Sequence, residues 1–205
     1  LTKLSFENAK KHFEVKFPEY IDSLNPILVE MQKQFQLTSI PFRIEGYDIS
    51  HIQGVDTVGS MVVFINGKPA KKYYRYFKVK LESLPNDTGS IKEVIERRIK
   101  HTDEVFGALP DVFLIDGGLG QLHAAEIALM DNDVLIPVLS LAKREELVYS
   151  QKSNEPIRLN KETSQVLRLL QQVRDESHRF AKKQFTKQHI KSVLYKWFLL
   201  IMVKE

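Results

Sequence analysis

Apolar positions in the first part of the chain recur at intervals of about 3.6 residues, the period of an α-helix that buries one face. Charged and polar residues fill most positions between them, and Pro18 and Pro26 divide the pattern because proline interrupts a helix interior. The pattern predicts a helical N-terminal extension over residues 1–40, followed by one larger domain over residues 41–192. The apolar positions are Leu4, Phe6, Phe13, Phe17, Leu24, Leu28, Met31 and Phe35.

The start of the larger domain has the composition of β-strands. Residues 42–49 and 58–65 are rich in β-branched and aromatic side chains, and Asn66-Gly67 after the second run is a strong signal for a tight hairpin. Residues 71–80 form the predicted return strand. Three antiparallel strands are therefore expected here.

Helix and strand patterns alternate in the rest of the domain. Ser90 and Glu93 have the spacing of a capping box and predict a helix over residues 90–100. The uninterrupted apolar run at residues 112–115 is typical of a buried parallel strand. The remaining patterns predict a helix over 119–130, a strand over 136–141 and a long basic helix over 161–188.

The predicted order is therefore β-β-β-α-β-α-β-α. Three antiparallel strands that continue into parallel ones through helical crossovers give a mixed five-stranded sheet flanked by helices. This α/β layout is that of the ribonuclease H-like fold, whose acidic site lies where its first and fourth strands run side by side. Asp48 and Asp116 fall on those two strands.

The composition limits the expected cellular location and the expected binding partners of the domain. The formal net charge of +4 and the pI near 9.1 favour phosphate-rich partners. The chain has no cysteine, which excludes disulfides and thiolate metal sites and makes a reducing cytoplasm the expected location. The apolar run at residues 197–203 is far shorter than the roughly 20 residues of a membrane span, so no membrane partner is expected.

Asp48 and Asp116 each close an apolar strand-like run. A charge at the end of a buried strand is costly unless something pairs with it, and a divalent cation between two carboxylates is a common solution. Each aspartate alone is also explained as a turn residue. Together, on two strands that are expected to be neighbours, they favour a metal site of the kind used in phosphoryl chemistry.

A histidine on the long basic helix is a third candidate. In helical register His178 shares a face with Gln171 and Arg174, and a neutral imidazole can act as a metal ligand or as a general base. A lone helical histidine is more often a surface residue. Composition does not choose among the six histidines, and His51 is the nearest rival because it lies close to Asp48.

Three further features could contact a polyanion. The run Gly117-Gly118-Leu119-Gly120-Gln121 could bring backbone close to a phosphate at a helix N-terminus, although it is more often only a tight strand-to-helix turn. Tyrosines 73, 74 and 76 could stack on bases, although alternating aromatic residues more often belong to a core. The basic residues expected to bind DNA are Arg97, Arg98, Lys143, Arg144, Arg174 and Arg179.

Three motifs occur in order along the chain. They are Asp-Ile-Ser-His-Ile-Gln-Gly from Asp48, Ile-Asp-Gly-Gly-x-Gly-Gln-Leu from Ile115, and Arg-Asp-Glu-x-His-Arg-Phe-Ala from Arg174. With these motifs the chain resembles, from about residue 8 to about residue 192, the C-terminal endonuclease region of UvrC, the incision subunit of bacterial nucleotide excision repair.

The resemblance implies a ribonuclease H-like nuclease that cuts damaged double-stranded DNA on the 5′ side of a lesion with Mg²⁺ or Mn²⁺. By position, Asp48 and Asp116 look like its two metal-binding catalytic aspartates. His178 looks like the third catalytic member and the third metal ligand. Asp87 lies in a segment where the family usually has paired acids, and it is a fourth catalytic candidate.

The chain also departs from the family pattern. Gly46-Tyr47 stands where Cys-Phe is usual, and Leu119 stands where a lysine is common. The GIY-YIG nuclease domain and the segment that would bind a UvrB-DNA complex are absent. Residues 193–205 do not fit the helix-hairpin-helix region that should begin there, and are expected to be a tail that replaces or truncates it. Weak DNA affinity of the isolated chain is the expected consequence.

Two other functions remain open. A catalytically silent DNA- or protein-binding module of the same fold would explain the missing tail and Leu119, although all three catalytic positions keep their chemical identity. An actin-like ATPase is built on a related fold with Asp-Gly-Gly loops. It is disfavoured because no glycine directly follows Asp48-Ile49 to admit a phosphate tail.

Overall fold

The computed structural model of the protein describes residues 24–52, 56–79, 86–143 and 146–202, without the side chains of residues 51–52, 56, 153–154 and 184–202. Most of the predicted N-terminal extension therefore lies outside the described residues. Its described part is helix α1 (Pro26–Gln34), which begins at a proline, the residue best suited to the first helical position. The Asn25 side chain caps this helix by accepting from the Ile27 amide at 3.0 Å.

An eight-stranded mixed sheet forms the centre of the described part. Its strands are β1 (Arg43–Ile52), β2 (Asp56–Ile65), β3 (Lys68–Pro69), β4 (Arg75–Lys78), β5 (Val112–Asp116), β6 (Val138–Ala142), β7 (Leu147–Ser150) and β8 (Ser153–Ile157). The order across the sheet is β3-β2-β1-β5-β6-β7-β8, and β4 also pairs with β2. Pairing is parallel for β1 with β5 and for β5 with β6, and antiparallel elsewhere.

The α/β class and the ribonuclease H-like strand arrangement are confirmed, but the predicted number of five strands is too low. The return strand is broken into β3 and β4 by a 3-10 turn at Lys71–Tyr73. The hairpin β7–β8 adds two strands for which no pattern was recognised. Short strands at the edge of a sheet bury few side chains, so they carry little of the apolar periodicity that reveals a strand.

The predicted hairpin at Asn66-Gly67 is confirmed. Both residues have positive φ angles, 51° and 74°, as a two-residue turn between β2 and β3 requires. β5 is buried along its whole length, as the uninterrupted apolar run predicted.

Three more helices complete the described fold: α2 (Asp87–Ile99), α3 (Leu119–Met130) and α4 (Gln165–Met202). α3 has the predicted bounds. α2 begins earlier than predicted, because Asn86 is the N-cap and its side chain accepts from the Gly89 amide at 3.0 Å. Ser90 is buried inside the helix, so the predicted capping box is wrong.

α4 begins after Ser164, whose hydroxyl accepts from the Leu167 amide at 3.1 Å. The helix then continues past residue 188, where its end was predicted, through the proposed domain boundary at 192–193. The described backbone thus gives no break at that boundary, which stays a prediction. None of the helices in the described ranges is both long and apolar enough to cross a membrane.

The two faces of the sheet carry different helices. Successive residues of a strand point to opposite faces, so Gly46 and Asp48 of β1 face α4 while Glu45 and Tyr47 face α2. A Cβ atom on Gly46 would lie 2.4 Å from Cγ1 of Val173 in α4. Glycine at this position therefore lets α4 lie directly on β1, two residues before Asp48.

Candidate metal-binding active site

The two candidate aspartates meet on the neighbouring central strands β1 and β5. Asp116 ends β5 as predicted, but β1 continues to Ile52, so the prediction that Asp48 also closes its strand is wrong. In the parallel pairing of β1 and β5, Tyr47 is the partner of Ile115. Asp48 and Asp116 are the next residues along each strand, so the register itself makes them neighbours. Both are almost completely buried, with 4% and 6% of their surfaces exposed. The prediction that they lie together on adjacent strands is confirmed.

His178 of α4 bridges the two carboxylates. Its Nδ1 lies 3.1 Å from Oδ2 of Asp48, and its Nε2 lies 2.9 Å from Oδ2 of Asp116. Each of the three residues offers one ligand atom within 4.8 Å of the other two. The imidazole thus uses both ring nitrogens to join two strands that belong to distant parts of the sequence.

The electrostatics of the site follow from this bridge. Hydrogen bonds to Asp116 and Asp48 raise the pKa of His178 to about 9, against the opposing effect of burial. Burial alone would raise the pKa of Asp116, but the hydrogen bond and charge of His178, together with the charge of Lys143, hold it below its ordinary value. Without a metal ion, an imidazolium therefore supplies the positive charge between the carboxylates.

Two neighbouring side chains complete the surroundings of the carboxylates. The Ser50 hydroxyl donates to Oδ2 of Asp48 at 3.0 Å, and Lys143 places Nζ 3.4 Å from Oδ2 of Asp116 while 66% of its side chain stays exposed. Oδ1 of Asp116 is buried and has no hydrogen-bond partner among the described residues. A buried carboxylate oxygen without a partner has lone pairs available for a cation.

Residues 32–181 match the family model of the UvrC RNase H endonuclease domain. The chain belongs to this family. The match covers all three residues of the bridge and all eight strands of the sheet. The motifs around Asp48, Asp116 and Arg174 are therefore segments of a known domain family.

Relatives of the UvrC domain are similar over most of this chain. The UvrABC system protein C of Moorella thermoacetica is 48% identical over 158 residues, 75% of this chain and 26% of that protein. Those of Acidobacterium capsulatum and Methanosphaera stadtmanae are 45% and 42% identical, cover 88% and 91% of this chain, and match over 28% and 33% of their own lengths. The chain spans about a quarter to a third of these relatives.

Among solved structures, the similar ones include Ciona intestinalis endonuclease V in complex with a DNA that contains inosine. It aligns with 79% of this chain and 96% of its own, at 14% sequence identity and a TM-score of 0.48. The family assignment rests on the sequence relatives of the UvrC domain.

Asp87 lies outside the cluster formed by Asp48, Asp116 and His178. Asp87 is the exposed first residue of α2. It is not in the group of described residues whose ligand atoms lie close enough together to bind one metal ion. A catalytic role for Asp87 stays a prediction. His51 lies on β1, but its side chain is outside the described residues. Its role as an alternative to His178 in the site stays a prediction.

One of the predicted DNA-binding residues of the UvrC domain has a different role. Arg98 is completely buried, and its guanidinium group donates to both carboxylate oxygens of Glu45, at 2.9 and 2.8 Å. A side chain enclosed between α2 and the sheet cannot reach a phosphate. The prediction that Arg98 contacts DNA is therefore wrong.

The other predicted DNA contacts stay predictions, and those within the described residues are partly exposed. Arg97 donates to the carbonyl of Lys78 at 2.6 Å, and Arg179 pairs with Glu176 at 2.6 Å. Arg174 pairs with Asp175 at 2.9 Å and keeps 13% of its side chain exposed. Lys143 lies at the site itself, and Arg144 is outside the described residues.

The sequence analysis missed a buried ionic network under β1. Glu45 accepts from Arg43, Arg98 and Tyr47, while Arg98 also donates to the carbonyl oxygens of His101, Gly107 and Ala108. The network connects β1 to the end of α2 and to the loop that leads into β5. The sign of this network in the sequence is Glu45, a charged residue that interrupts the apolar pattern of its strand.

Proposed function

We propose that this chain is a divalent-metal-dependent DNA endonuclease domain that makes the 5′ incision beside a lesion in nucleotide excision repair. The observation that carries the proposal is the bridge of His178 between two buried carboxylates, those of Asp48 within β1 and Asp116 at the end of β5. Membership of the UvrC endonuclease domain family and relatives named UvrABC system protein C support the same reaction.

The residues of the site fit a divalent cation. Carboxylate oxygens are ligands for Mg²⁺ and Mn²⁺, and imidazole nitrogen is a common ligand for transition metals. Oδ1 of Asp116, buried and without a partner in the described part of the chain, is an oxygen that such an ion would satisfy. Asp48, Asp116 and His178 are the residues that would hold Mg²⁺ or Mn²⁺.

When bound, the ion supplies the positive charge that stabilises the charge developing on the scissile phosphate. The strands contribute carboxylates whose positions are fixed before the substrate arrives, so little reorganisation is needed. His178 has two ring nitrogens close to the site. The imidazolium would lose one ring proton to solvent more readily when the positive charge of a divalent ion replaces its own. The neutral ring could then accept a proton from the attacking water at the nitrogen without hydrogen, or orient that water.

Basic residues around the site support binding of a phosphate backbone. Lys143 combines proximity to Asp116 with an exposed side chain, so its ammonium group can contact a phosphate that reaches the carboxylates. We keep Arg97, Arg144, Arg174 and Arg179 as further DNA contacts and Asp87 as a fourth catalytic residue. Damaged duplex DNA is the proposed substrate. A UvrB-DNA complex in the cytoplasm would be bound through parts of the longer protein that this chain does not include.

The test uses a duplex with one bulky lesion and a pre-made nick on its 3′ side. The chain is incubated with this duplex, alone and together with UvrB, in Mg²⁺, Mn²⁺ or EDTA. Metal-dependent cutting 5′ to the lesion is expected for the unchanged chain and loss of cutting for Asp116→Asn. Asp131→Asn is the matched control, because Asp131 is an exposed acid that pairs with Lys92.

Two outcomes would contradict the proposal. If Asp116→Asn cuts as well as the unchanged chain, Asp116 is not catalytic. If no divalent ion permits cutting while the chain still binds the duplex, the alternative of a catalytically silent DNA-binding module is correct.

A further inference from the structure

Three hydroxyl groups of the sheet reach the turn of α4 that carries His178. They belong to Ser60 on β2, to Tyr74 immediately before β4, and to Tyr76 on β4. We name these residues the hydroxyl clamp.

Ser60 joins the two elements that carry the catalytic groups. Its Oγ lies 3.4 Å from the carbonyl oxygen of Asp48 and 3.2 Å from the carbonyl oxygen of Ser177. Ser60 and Ser177 are both completely buried. One hydroxyl hydrogen is therefore shared between the backbone of the first catalytic aspartate and the residue directly before His178.

Tyr76 fixes the next part of the helix. Its hydroxyl donates to the carbonyl oxygen of Phe180 at 2.7 Å, and its ring stacks on the Phe180 ring at 3.9 Å with an interplanar angle of 9°. Tyr74 approaches Phe180 with its edge at 5.1 Å and donates its hydroxyl to Glu176 at 3.1 Å. Ser60, Tyr74 and Tyr76 thus contact α4 residues on both sides of His178.

Two residues of the clamp, Ser60 and Tyr76, lie in one row with the first catalytic carboxylate. Asp48 is the register partner of Ser60, and Ser60 is the register partner of Tyr76. A row across three hydrogen-bonded strands is among the stiffer parts of a domain. The hydroxyl clamp therefore ties the helix backbone around His178 to the same part of the sheet that holds Asp48.

We propose that Ser60, Tyr74 and Tyr76 are positioning residues that set the His178 ring between Asp48 and Asp116. The positioning of the ring does not depend on the proposed function. Only the expected effect of that positioning on DNA cleavage rests on the proposed function. The ring makes two hydrogen bonds of 3.1 and 2.9 Å at once, which leaves little room for a shift of the helix. A misplacement of about 1 Å at a catalytic site can cost two orders of magnitude in rate.

The test removes hydroxyl groups without changing the metal ligands. Tyr76→Phe and Ser60→Ala are made singly and together, with Tyr149→Phe as the control because Tyr149 is a half-buried tyrosine on β7. Mn²⁺ affinity is measured by calorimetry, and kcat and KM are measured on the nicked lesion duplex. The double variant is expected to bind Mn²⁺ about 10-fold more weakly, as is typical for loss of groups that orient metal ligands.

A kinetic comparison separates positioning from general damage. The double variant is expected to lower kcat and leave KM for DNA unchanged, while Tyr149→Phe changes neither. A second readout is the ¹⁵N spectrum of the His178 ring in EDTA, where the unchanged chain should give two hydrogen-bonded N–H groups and the double variant should lose at least one. If the double variant does not fold, Tyr76→Phe alone decides, because it removes one oxygen at a half-exposed position.

The results distinguish the two proposals. Unchanged Mn²⁺ affinity, kcat and ring spectrum in folded variants would overturn the clamp. Failure of the unchanged chain to bind Mn²⁺ or cut DNA would overturn the proposed function instead, and the spectrum in EDTA would still report whether the clamp positions His178.

Discussion

His178 interacts with both carboxylates through a single charged ring in the metal-free protein. Each of its nitrogens lies within hydrogen-bond distance of a different aspartate, and donation to both aspartates requires a hydrogen on each nitrogen. Hydrogen bonds to Asp116 and Asp48 accordingly raise its pKa to about 9 from the ordinary 6.5. Because the folded pKa lies above the unfolded one, the protonated ring stabilises the fold most fully below pH 6.5.

The metal-free protein should therefore lose stability as the pH rises from about 6.5 to about 9, the interval between the two pKa values of His178. The measurement is thermal unfolding in EDTA at a series of pH values, for the unchanged chain and for His178→Gln. The difference in melting temperature between the two proteins should be largest at pH 6 and should shrink through pH 9. A difference that does not depend on pH would mean that the ring is neutral in the folded protein.

Arg97 and Arg98 are chemically identical neighbours with different surroundings. Arg97 keeps 36% of its side chain exposed and pairs with Glu93, while Arg98 is enclosed and pairs with Glu45. Removing one partner of a buried pair leaves the other charge without compensation, whereas an exposed pair contributes little.

Arg98→Ala should destabilise the domain by about 3 kcal/mol, and Arg97→Ala should change stability by about 0.5 kcal/mol or less. The remaining contact of Glu45 with Arg43 places the expected loss for Arg98→Ala at the low end of the usual range. Urea unfolding of both variants provides the comparison. Equal losses for the two would contradict the ionic network.

At the scale of elements, the distance between α4 and β1 depends on the absence of a side chain. A Cβ on Gly46 would lie 2.4 Å from Cγ1 of Val173 and 3.1 Å from Cγ2 of Val62. Both neighbours are completely buried, so they have little space to move. Gly46 therefore determines how near the helix that carries His178 can come to the strand that carries Asp48.

Gly46→Ala should push α4 from the sheet, cost about 1–3 kcal/mol of stability, and lower incision more than stability alone explains. Adding Val173→Ala to the Gly46→Ala protein should restore part of the stability and part of the incision activity, because it removes the methyl group that the new Cβ meets. Gly120→Ala is the control, since a Cβ there would lie 3.6 Å from Thr88 in ordinary contact. A Gly46→Ala protein with full activity would show that α4 tolerates displacement.

At the scale of the whole molecule, the site joins three segments that meet only in the folded chain. Asp48 lies on β1, Asp116 on β5 and His178 on α4. An ion that binds these ligands binds the folded state and not the unfolded one, so its binding energy adds to the stability of the entire domain.

Mn²⁺ at 100 times its Kd should therefore stabilise the domain by about 2.7 kcal/mol. Thermal unfolding with and without Mn²⁺ measures the effect through the rise in melting temperature. Asp116→Asn should abolish most of the rise, and Asp131→Asn should keep it. An equal rise in all three proteins would place the Mn²⁺ site elsewhere.

Short sequence patterns predicted many helices and turns correctly, because these elements depend mainly on residues that are near each other in the chain. Residues 119–130 have the composition and turn signals of a helix, and the structure has a helix with those bounds. Asn66-Gly67 accepts positive φ angles, so its turn type follows from two residues. Where a signal was ambiguous, as with Ser90 at the start of α2, the competing cap Asn86 took the role.

The sequence by itself determined that two aspartates lie on adjacent strands, and its three motifs identified the family and the histidine. Only the tertiary structure decided that Arg98 is enclosed, that Tyr74 and Tyr76 grip α4, and that a buried Ser60 lies between two catalytic elements. Burial and hydrogen bonding of these residues depend on partners far away in the chain. Two residues of the same type have the same local preferences, and only the packing of distant segments makes them different.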